Sequence, residues 1–229
     1  MALFVVLSVF SGLKDFSLSF SNDSDPDLKV SPTLGKSFYV SAEQNEKLQK
    51  INGIAASSKV LEDRVLFMFD GKEIVTYLKG VDASYGKVND VKKTIFQGDW
   101  LEPNTTEVVV GYGISQKLSL GLFEFNHPFE VFVPRPGKGA IENPEQAFNK
   151  TAIAPVGIYA ISEDLDSKYV YADLGLTQNL LEYKSNQISA IELKLKPNSD
   201  EEIIKKELQT IFNKKVTVKN RAQLNDSLY

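Results

Sequence analysis

Few residues in this sequence are placed to do chemistry. Histidine occurs once, as His127 in "EFNHPFEV", between two aromatics and ahead of a proline. An acid–base role needs a nucleophile or an orienting partner beside it, and no such residue flanks it. The imidazole therefore reads as part of a turn that enters a strand. "GYG" at Gly111 to Gly113 follows a strand-like run. It lacks the third glycine of a dinucleotide fingerprint and the loop lysine of a phosphate cradle, which leaves a tight strand-to-helix turn. The carboxylates of "SEDLD", from Ser162 to Asp166, are of the type that holds a hard cation, but their spacing is not that of a calcium loop. They read as a solvated turn. No catalytic residue, cofactor or metal site is expected.

The feature hardest to dismiss is "VPRPGKGAIENPEQAFNKTAIAP". Between two strand-like arms it places Pro134, Pro136, Gly137, Gly139 and Pro144 around Arg135 and Lys138, with Phe148 and Ile153 toward the far arm. A connection of this length inside a compact domain is either functional or disordered. Two readings stand, a protruding partner-binding loop and a variable surface loop.

Composition narrows the partner class. Lys and Arg number 26 against 30 Asp and Glu, a net charge of −4, so there is no cationic excess to neutralise a phosphate backbone, and nucleic acid is not expected as a partner. Cysteine is absent, which excludes disulfides, thiolate metal sites and thiol nucleophiles while leaving the compartment open. With 42% apolar residues over 229, the chain has material for a substantial core, in one large domain or two modest ones.

The elements that position these residues fall into two groups. A breaker, "SNDSDPDLKVSP", precedes a short strand at Leu28 to Val30. Ser41 stands three residues ahead of Gln44, the spacing of a capping box, before a helix carrying Leu48 and Ile51. Asp70-Gly71 divides a β-hairpin. At the other end "QISAIELKLKP" reads as a strand and "NSDEEIIKKELQTIFNKK" as a helix. That helix has Ser199 and Glu202 as a second capping box, lysines in its last turn, and an apolar face of Ile204, Leu208, Ile211 and Phe212. "KVTVKN" is a final strand. The two ends thus close into one α+β layer, a split βαβ arrangement, around a β-rich insertion.

The opening run from Leu3 to Leu13 is uncharged and rich in Val, Leu and Phe. As a helix it extends about 16 Å, short of the roughly 30 Å of a bilayer core. Three readings fit it: a signal-peptide core, a buried amphipathic helix, or the end of a membrane span. "RAQLNDSLY" reads as the start of another helix, with Leu224 and Leu228 four apart. Together the two ends favour a domain lying between two longer helices.

In order along the chain, "FVVLSVFSGLKDF", "DPDLKVSP", "VVVGYGISQKLSLGL", "FEVFVPRP", "IAPVGIYAISEDLDSKYVYADLGLTQNLL" and "ISAIELKL" resemble the MacB-like periplasmic core domain of bacterial ABC-transporter permeases. The resemblance is greatest to the lipoprotein-releasing (Lol-type, FtsX superfamily) permeases. It implies a two-lobed fold: a Porter-like lobe from both chain ends and an inserted Sabre-like lobe. Residues 1–20 would be the end of a first membrane helix, 21–81 the first half of the Porter-like lobe, and 82–185 the Sabre-like lobe. A hook-like loop is implied at 134–148, where the basic, Pro-rich letters match the family's hook only loosely. Residues 186–221 would complete the Porter-like lobe, and 222–229 would start a stalk to the next membrane helix.

The implied function is non-catalytic. The domain would face the periplasm from the bacterial inner membrane and couple a cytoplasmic ABC ATPase to lipoprotein release. Its implied partners are a second permease copy or sister permease, a lipoprotein carrier and a lipoprotein substrate. In that setting Arg135 and Lys138 steer an acidic patch on the carrier while Phe148 and Ile153 supply apolar anchor area. Alternatives are a MacB-type mechanotransmitting efflux permease and a secreted or anchored binding module. An enzyme ranks behind them, with a ligand expected in the cleft between lobes.

Overall fold

The computed structural model describes residues 25–122, 126–135 and 148–225. The apolar run 3–13, Lys138 and residues 226–229 lie outside them. The first group of elements is β1 (Leu28–Pro32), β2 (Phe38–Tyr39), α1 (Ala42–Lys50) and the hairpin of β3 (Ile54–Phe69) and β4 (Lys72–Val81). The middle of the chain gives α2 (Tyr85–Val88), a 3-10 turn (Asp90–Thr94), β5 (Ile95–Gly98), β6 (Glu107–Gly111) and α3 (Tyr112–Leu118). It continues with β7 (Phe129–Pro134), β8 (Phe148–Tyr159), α4 (Glu163–Asp166), β9 (Tyr169–Asp173) and α5 (Leu174–Leu180). Then come β10 (Gln187–Ile188), β11 (Ala190–Leu195), α6 (Glu201–Ile211), β12 (Val216–Asn220) and α7 (Arg221–Asn225). The α+β class expected from the sequence is observed, with more helix in the middle segment than the β-rich texture implied.

Local chemistry explains the element ends. The Ser41 hydroxyl accepts from the Gln44 N–H at 3.1 Å, and the Gln44 side chain accepts from the Ser41 N–H at 3.0 Å, so the first capping box forms as expected. Asp70 and Gly71 both adopt positive φ, 46° and 73°, as the tight turn between β3 and β4 requires. The second box does not form. Asp200 caps α6 instead, accepting from the N–H groups of Glu202 and Ile203 at 3.0 and 3.1 Å, while the Ser199 hydroxyl donates to the Gly53 carbonyl. A carboxylate at this position also gains from the helix dipole, which a hydroxyl does not. Lys214 likewise falls beyond the last turn, because Asn213 and Lys214 take left-handed φ values of 52° and 56°. Asp200→Ala is expected to cost about 1 kcal/mol, a fall in Tm of roughly 2–4 °C by circular dichroism.

Strand pairing sets the architecture. The sheet runs β12-β1-β11-β3-β4-β9-β6-β8-β5, and β7 pairs with both β3 and β8. Followed from β3 through β4, β9, β6, β8 and β7, the ladder therefore returns to β3 and closes a ring of strands. Strand β3 is long enough to serve both parts. Its residues 54–60 pair with β11 and residues 66–68 with β7. The ring thus includes β4 and the second half of β3, which the sequence reading places in the 21–81 segment.

Three cores follow from strand alternation. Inside the ring lie Leu61, Val65, Phe67, Leu78, Val110 and Val131, with Ile114 of α3 and Leu180 of α5 packed against them. A second core, made from the two chain ends, joins Leu28, Val30, Ile191 and Leu193 of the sheet to Leu48 of α1 and Ile204 and Leu208 of α6. A third lies on the outer face of the ring, around Tyr85, Val109, Tyr159 and Tyr171. The turn from β6 into α3 permits only glycine at its first position. A Cβ on Gly111 would come within 2.1 Å of the Asp166 carbonyl oxygen, a backbone atom. Gly111→Ala is expected to destabilise by about 1–3 kcal/mol, read as a lowered urea midpoint.

Candidate functional site

The loop singled out in the sequence joins β7 and β8. Pro134 stands opposite Phe148, Phe132 opposite Lys150, and Phe129 opposite Ile153. Alternation puts Phe132, Phe148 and Lys150 on the outer face and Val133 and Ile153 on the inner one. Phe148, 38% exposed, meets the Phe132 ring edge-on at 6.4 Å. The Lys150 ammonium lies 5.5 Å over the same Phe132 ring and 3.5 Å from Glu130. Arg135 turns the other way. Its Nε donates to Asn149 Oδ1 at 2.6 Å, and the Asn149 amide donates to the Leu180 carbonyl and the Glu182 carboxylate at the end of α5.

Hence Arg135 and Phe148, grouped in the sequence, point to opposite sides of the hairpin. Ile153 corrects the reading further. It is 5% exposed, belongs to the core within the ring, and anchors the hairpin instead of offering area to a partner. Lys138 lies outside the described residues.

The other sequence candidates take structural roles. His127 Nε2 sits 3.5 Å from an Asp70 carboxylate oxygen and its ring packs edge-on against Phe69, in the turn that enters β7. "SEDLD" keeps Ser162, Glu163 and Asp164 exposed, as a solvated turn would, and only Asp166 is enclosed. Asp166 Oδ1 accepts from the N–H groups of Ile161 and Ser162 at 2.7 and 3.3 Å. Burial raises the Asp166 carboxyl above its usual range, and those two donors oppose the rise. Among the described residues no group of three or more His, Cys, Asp or Glu side chains could hold a metal ion.

The sequence reading missed a buried ion cluster at the junction of ring and end layer. Lys29 of β1, Glu192 of β11, Glu62 of β3 and Lys79 of β4 share one face of the sheet. Lys79 Nζ lies 2.7 Å from Glu192 and 3.2 Å from Glu62, and Lys29 Nζ 2.9 Å from Glu62 and 3.6 Å from Glu192. Asn89 donates to the second oxygen of Glu192 at 2.6 Å. The rings of Tyr85 and Tyr169 each lie 5.2 Å from the Lys79 ammonium. A signal was available in "TYLKGV" and "AIEL", where a single charge interrupts an apolar strand.

Burial alone would raise the Glu62 carboxyl, but the Lys29 and Lys79 ammoniums overcome it and hold it far below the carboxylate range. Both lysines are raised: burial lowers them, and Glu62 and Glu192 more than compensate. A depressed carboxyl stabilises the fold wherever the unfolded carboxyl would be ionised, above its ordinary value of 4.5. That contribution is lost as pH falls below it. The raised lysines contribute below their ordinary 10.5 and lose that contribution as pH rises beyond it. Tm is therefore expected to hold level from pH 8 to about 5 and fall steeply below about 4, and Glu62→Gln is expected to flatten that acid limb.

The two ends of the described chain meet. Strands β1 and β12 pair along their length, and the Arg221 guanidinium lies 2.9 Å from Asp27 Oδ1 and donates to the Asp25 carbonyl at 3.0 Å. Among the described residues no helix is long and apolar enough to cross a membrane.

This architecture is shared with known structures. No protein-family model matches the sequence, and comparison with curated proteins finds no match. The chain superposes on the periplasmic region of MacB from Actinobacillus actinomycetemcomitans with a TM-score of 0.61 at 14% identity, covering 91% of this chain and 93% of that one. The extracellular domain of the noncanonic ABC-type transporter YknZ from Gram-positive bacteria gives 0.56 at 14% identity over 85% and 99% of the two chains. A domain of a Porphyromonas gingivalis protein described as a permease gives 0.52 at 9% identity, over 86% and 89%. The fold is that of the MacB periplasmic domain, as the sequence resemblance implied.

Proposed function

We propose that this chain is the extracytoplasmic domain of an ABC-transporter permease, facing the periplasm from the bacterial inner membrane, that couples cytoplasmic ATP hydrolysis to release of lipoproteins to a periplasmic carrier. The observation that carries the permease-domain part of the reading is the likeness in fold to the MacB and YknZ domains over most of the chain, and lipoprotein release rests on the sequence resemblance to the Lol-type permeases. The pairing of β1 with β12 supports it, since the segments flanking the domain then leave from one place, as two stalks to the membrane would. Hydrolysis would reside in a separate ATPase subunit, and a second permease copy or sister permease would complete the assembly.

The same reading proposes the segment roles: 1–20 and 222–229 as stalks, 21–81 and 186–221 as the Porter-like lobe, and 82–185 as the Sabre-like lobe. Energetics make such a machine necessary. Each buried acyl CH₂ holds a lipoprotein in the bilayer by about 0.8 kcal/mol, so one long chain holds about 10 kcal/mol and unassisted release is negligible. Cargo must pass directly to a carrier with an apolar pocket. The hairpin loop at 134–148, with Arg135, Lys138 and Phe148, would recruit that carrier.

Titration of the domain with the lipoprotein carrier of the same cell, by calorimetry, tests the reading. Micromolar binding that is lost when Arg135, Lys138 and Phe148 are all replaced by alanine is the expected result. Absence of binding at high concentration overturns lipoprotein release in favour of the second reading, a mechanotransmitting efflux permease, with which the likeness in fold to the MacB periplasmic region is equally compatible.

A further inference from the structure

The place where the chain enters β1 and leaves β12 is built as a fork. Leu28 of β1 stands opposite Asn220 of β12, and the pairing runs away from that point to Pro32 and Val216. Inter-strand hydrogen bonds lie across the strands, so segments drawn apart at the fork load only the first rung, and the rungs fail one after another. The two prongs are not held alike. Strand β1 is paired on both sides, with β11 and with β12, whereas β12 pairs with β1 alone among the described residues. Toward the second core β12 contributes only Val216 and Val218, both buried. The prong that peels is therefore β12.

Arg221 sits just outside the first rung. Its Nη2 donates to Asp27 Oδ1 at 2.9 Å and to the Asp25 carbonyl at 3.0 Å, so one guanidinium ties the outgoing segment to two points of the incoming one. Asp27 is itself fixed to the sheet. Its other carboxylate oxygen accepts from the Leu195 N–H at 2.7 Å, and its own N–H donates to the Leu193 carbonyl at 2.9 Å. The cap of α7 aims Arg221: Asn220 and Gln223 each accept, through the side chain, from the other's N–H at 3.0 Å, and the Asn220 amide donates to Glu201 of α6 at 2.8 Å. The guanidinium Nε is buried with no hydrogen-bond partner among the described residues, a cost that the side chain bears because its other donors hold it at the fork.

We infer that Arg221 is a mechanical latch on this fork, and that β12 with α7 is a strap that peels from the sheet once the flanking segments are drawn apart beyond what the latch holds. Below that load the segments move the sheet as one body. Above it the strap opens, frees the β1 edge and uncovers the apolar floor beneath Val216 and Val218, while the ring keeps its pairing. As a partly exposed ion pair, Arg221 and Asp27 add little to stability at rest. Position gives the pair its effect, because no rung of the ladder bears load until it breaks. The inference stands independently of lipoprotein release, since it concerns the response of this chain to load whatever the cargo.

The test stretches the 229-residue chain across the fork in an optical trap. Because the sequence has no cysteine, Ser24→Cys and Ser227→Cys supply unique attachment points. Two events are expected: an early, reversible one that frees the five residues of β12, roughly 17 Å of extended chain, and a later one that unfolds the remainder. Arg221→Ala should lower the force of the early event by about half and leave the later force unchanged, since the first bond loaded is then a neutral rung, about half as strong as a charge-assisted one. Lys47→Ala, which breaks the Glu43–Lys47 pair of α1 away from the fork, should change neither force. Should Arg221→Ala melt at a lower temperature than its parent, Arg221→Lys replaces it, with a smaller fall in the early force expected, because the charge stays but the planar fork of donors is lost. Unfolding of the parent in a single step overturns the inference. So does an early force unchanged in the folded Arg221 variant, an equal fall in both forces, or an equal effect of Lys47→Ala.

Discussion

Glu192→Ala lowers stability by about 3–5 kcal/mol, a fall in Tm of roughly 10 °C or more by differential scanning calorimetry. Glu192 is 1% exposed and is the nearest counter-charge of Lys79, at 2.7 Å. Its removal leaves Lys79 and Lys29 sharing Glu62 and strips the Asn89 amide of its acceptor. The large effect measures an uncompensated buried charge more than the worth of the pair. Lys79→Met/Glu192→Leu, which removes both members and keeps the volume apolar, is therefore expected to recover most of the loss. The coupling in the cycle of Lys79→Met, Glu192→Leu and the double variant should lie at the upper end of the roughly 0.5–3 kcal/mol range for contacting residues. Additive losses would show that Lys79 and Glu192 do not act as a pair.

The position of the cluster gives this pairing a consequence for the whole domain. Lys29 and Glu192 belong to strands of the two chain ends, while Glu62 and Lys79 belong to the hairpin whose far half enters the ring. The four charges fix the register of β1 and β11 against β3 and β4. A one-residue slip of any of these strands would turn its charge to the opposite face. In the proposed permease, a displacement of the flanking stalks would reach the ring through these strands.

What the letters showed and what they hid divides along sequence distance. The Ser41–Gln44 cap, the Asp70-Gly71 turn and the buried face of Ile204 and Leu208 are written within a few residues, and all three appear. Where two adjacent residues were both able to cap, at Ser199 and Asp200, spacing alone chose the wrong one, because the Gly53 carbonyl that claims Ser199 lies 146 positions away. The pairing of β7 with β3 and the quartet of Lys29, Glu62, Lys79 and Glu192 were invisible for the same reason, since each joins segments far apart in the chain. Asp173 was a local signal left unread. It accepts from the N–H groups of Gly175 and Leu176 and starts α5 within the segment read only as a β-rich insertion. For the candidate site, alternation along β8 already determined that Phe148 and Ile153, five apart, face opposite ways.

Phe67→Ala is expected to cost about 3–5 kcal/mol, comparable to the loss of Glu192 but different in where it is felt. Phe67 is fully buried inside the ring, stands opposite Val131 of β7, and stacks on Phe129 at 5.6 Å with the planes 26° apart. Truncation leaves a cavity in the wall where the ring closes, and rigid strands collapse into such a space only in part. The ladder that suffers first is β3–β7, whose register covers only residues 66–68 of β3. Hydrogen exchange should therefore quicken most in β7 and in residues 148–153 of β8. The amides of β1 and β12, which belong to the second core, should change least. Phe67→Leu, which refills most of the volume, should lose about 1 kcal/mol and leave the exchange pattern intact. Uniform acceleration across both cores in Phe67→Ala would mean that ring and end layer open as one unit. In that case the base of the hairpin could not loosen separately from the strands that pair the two chain ends.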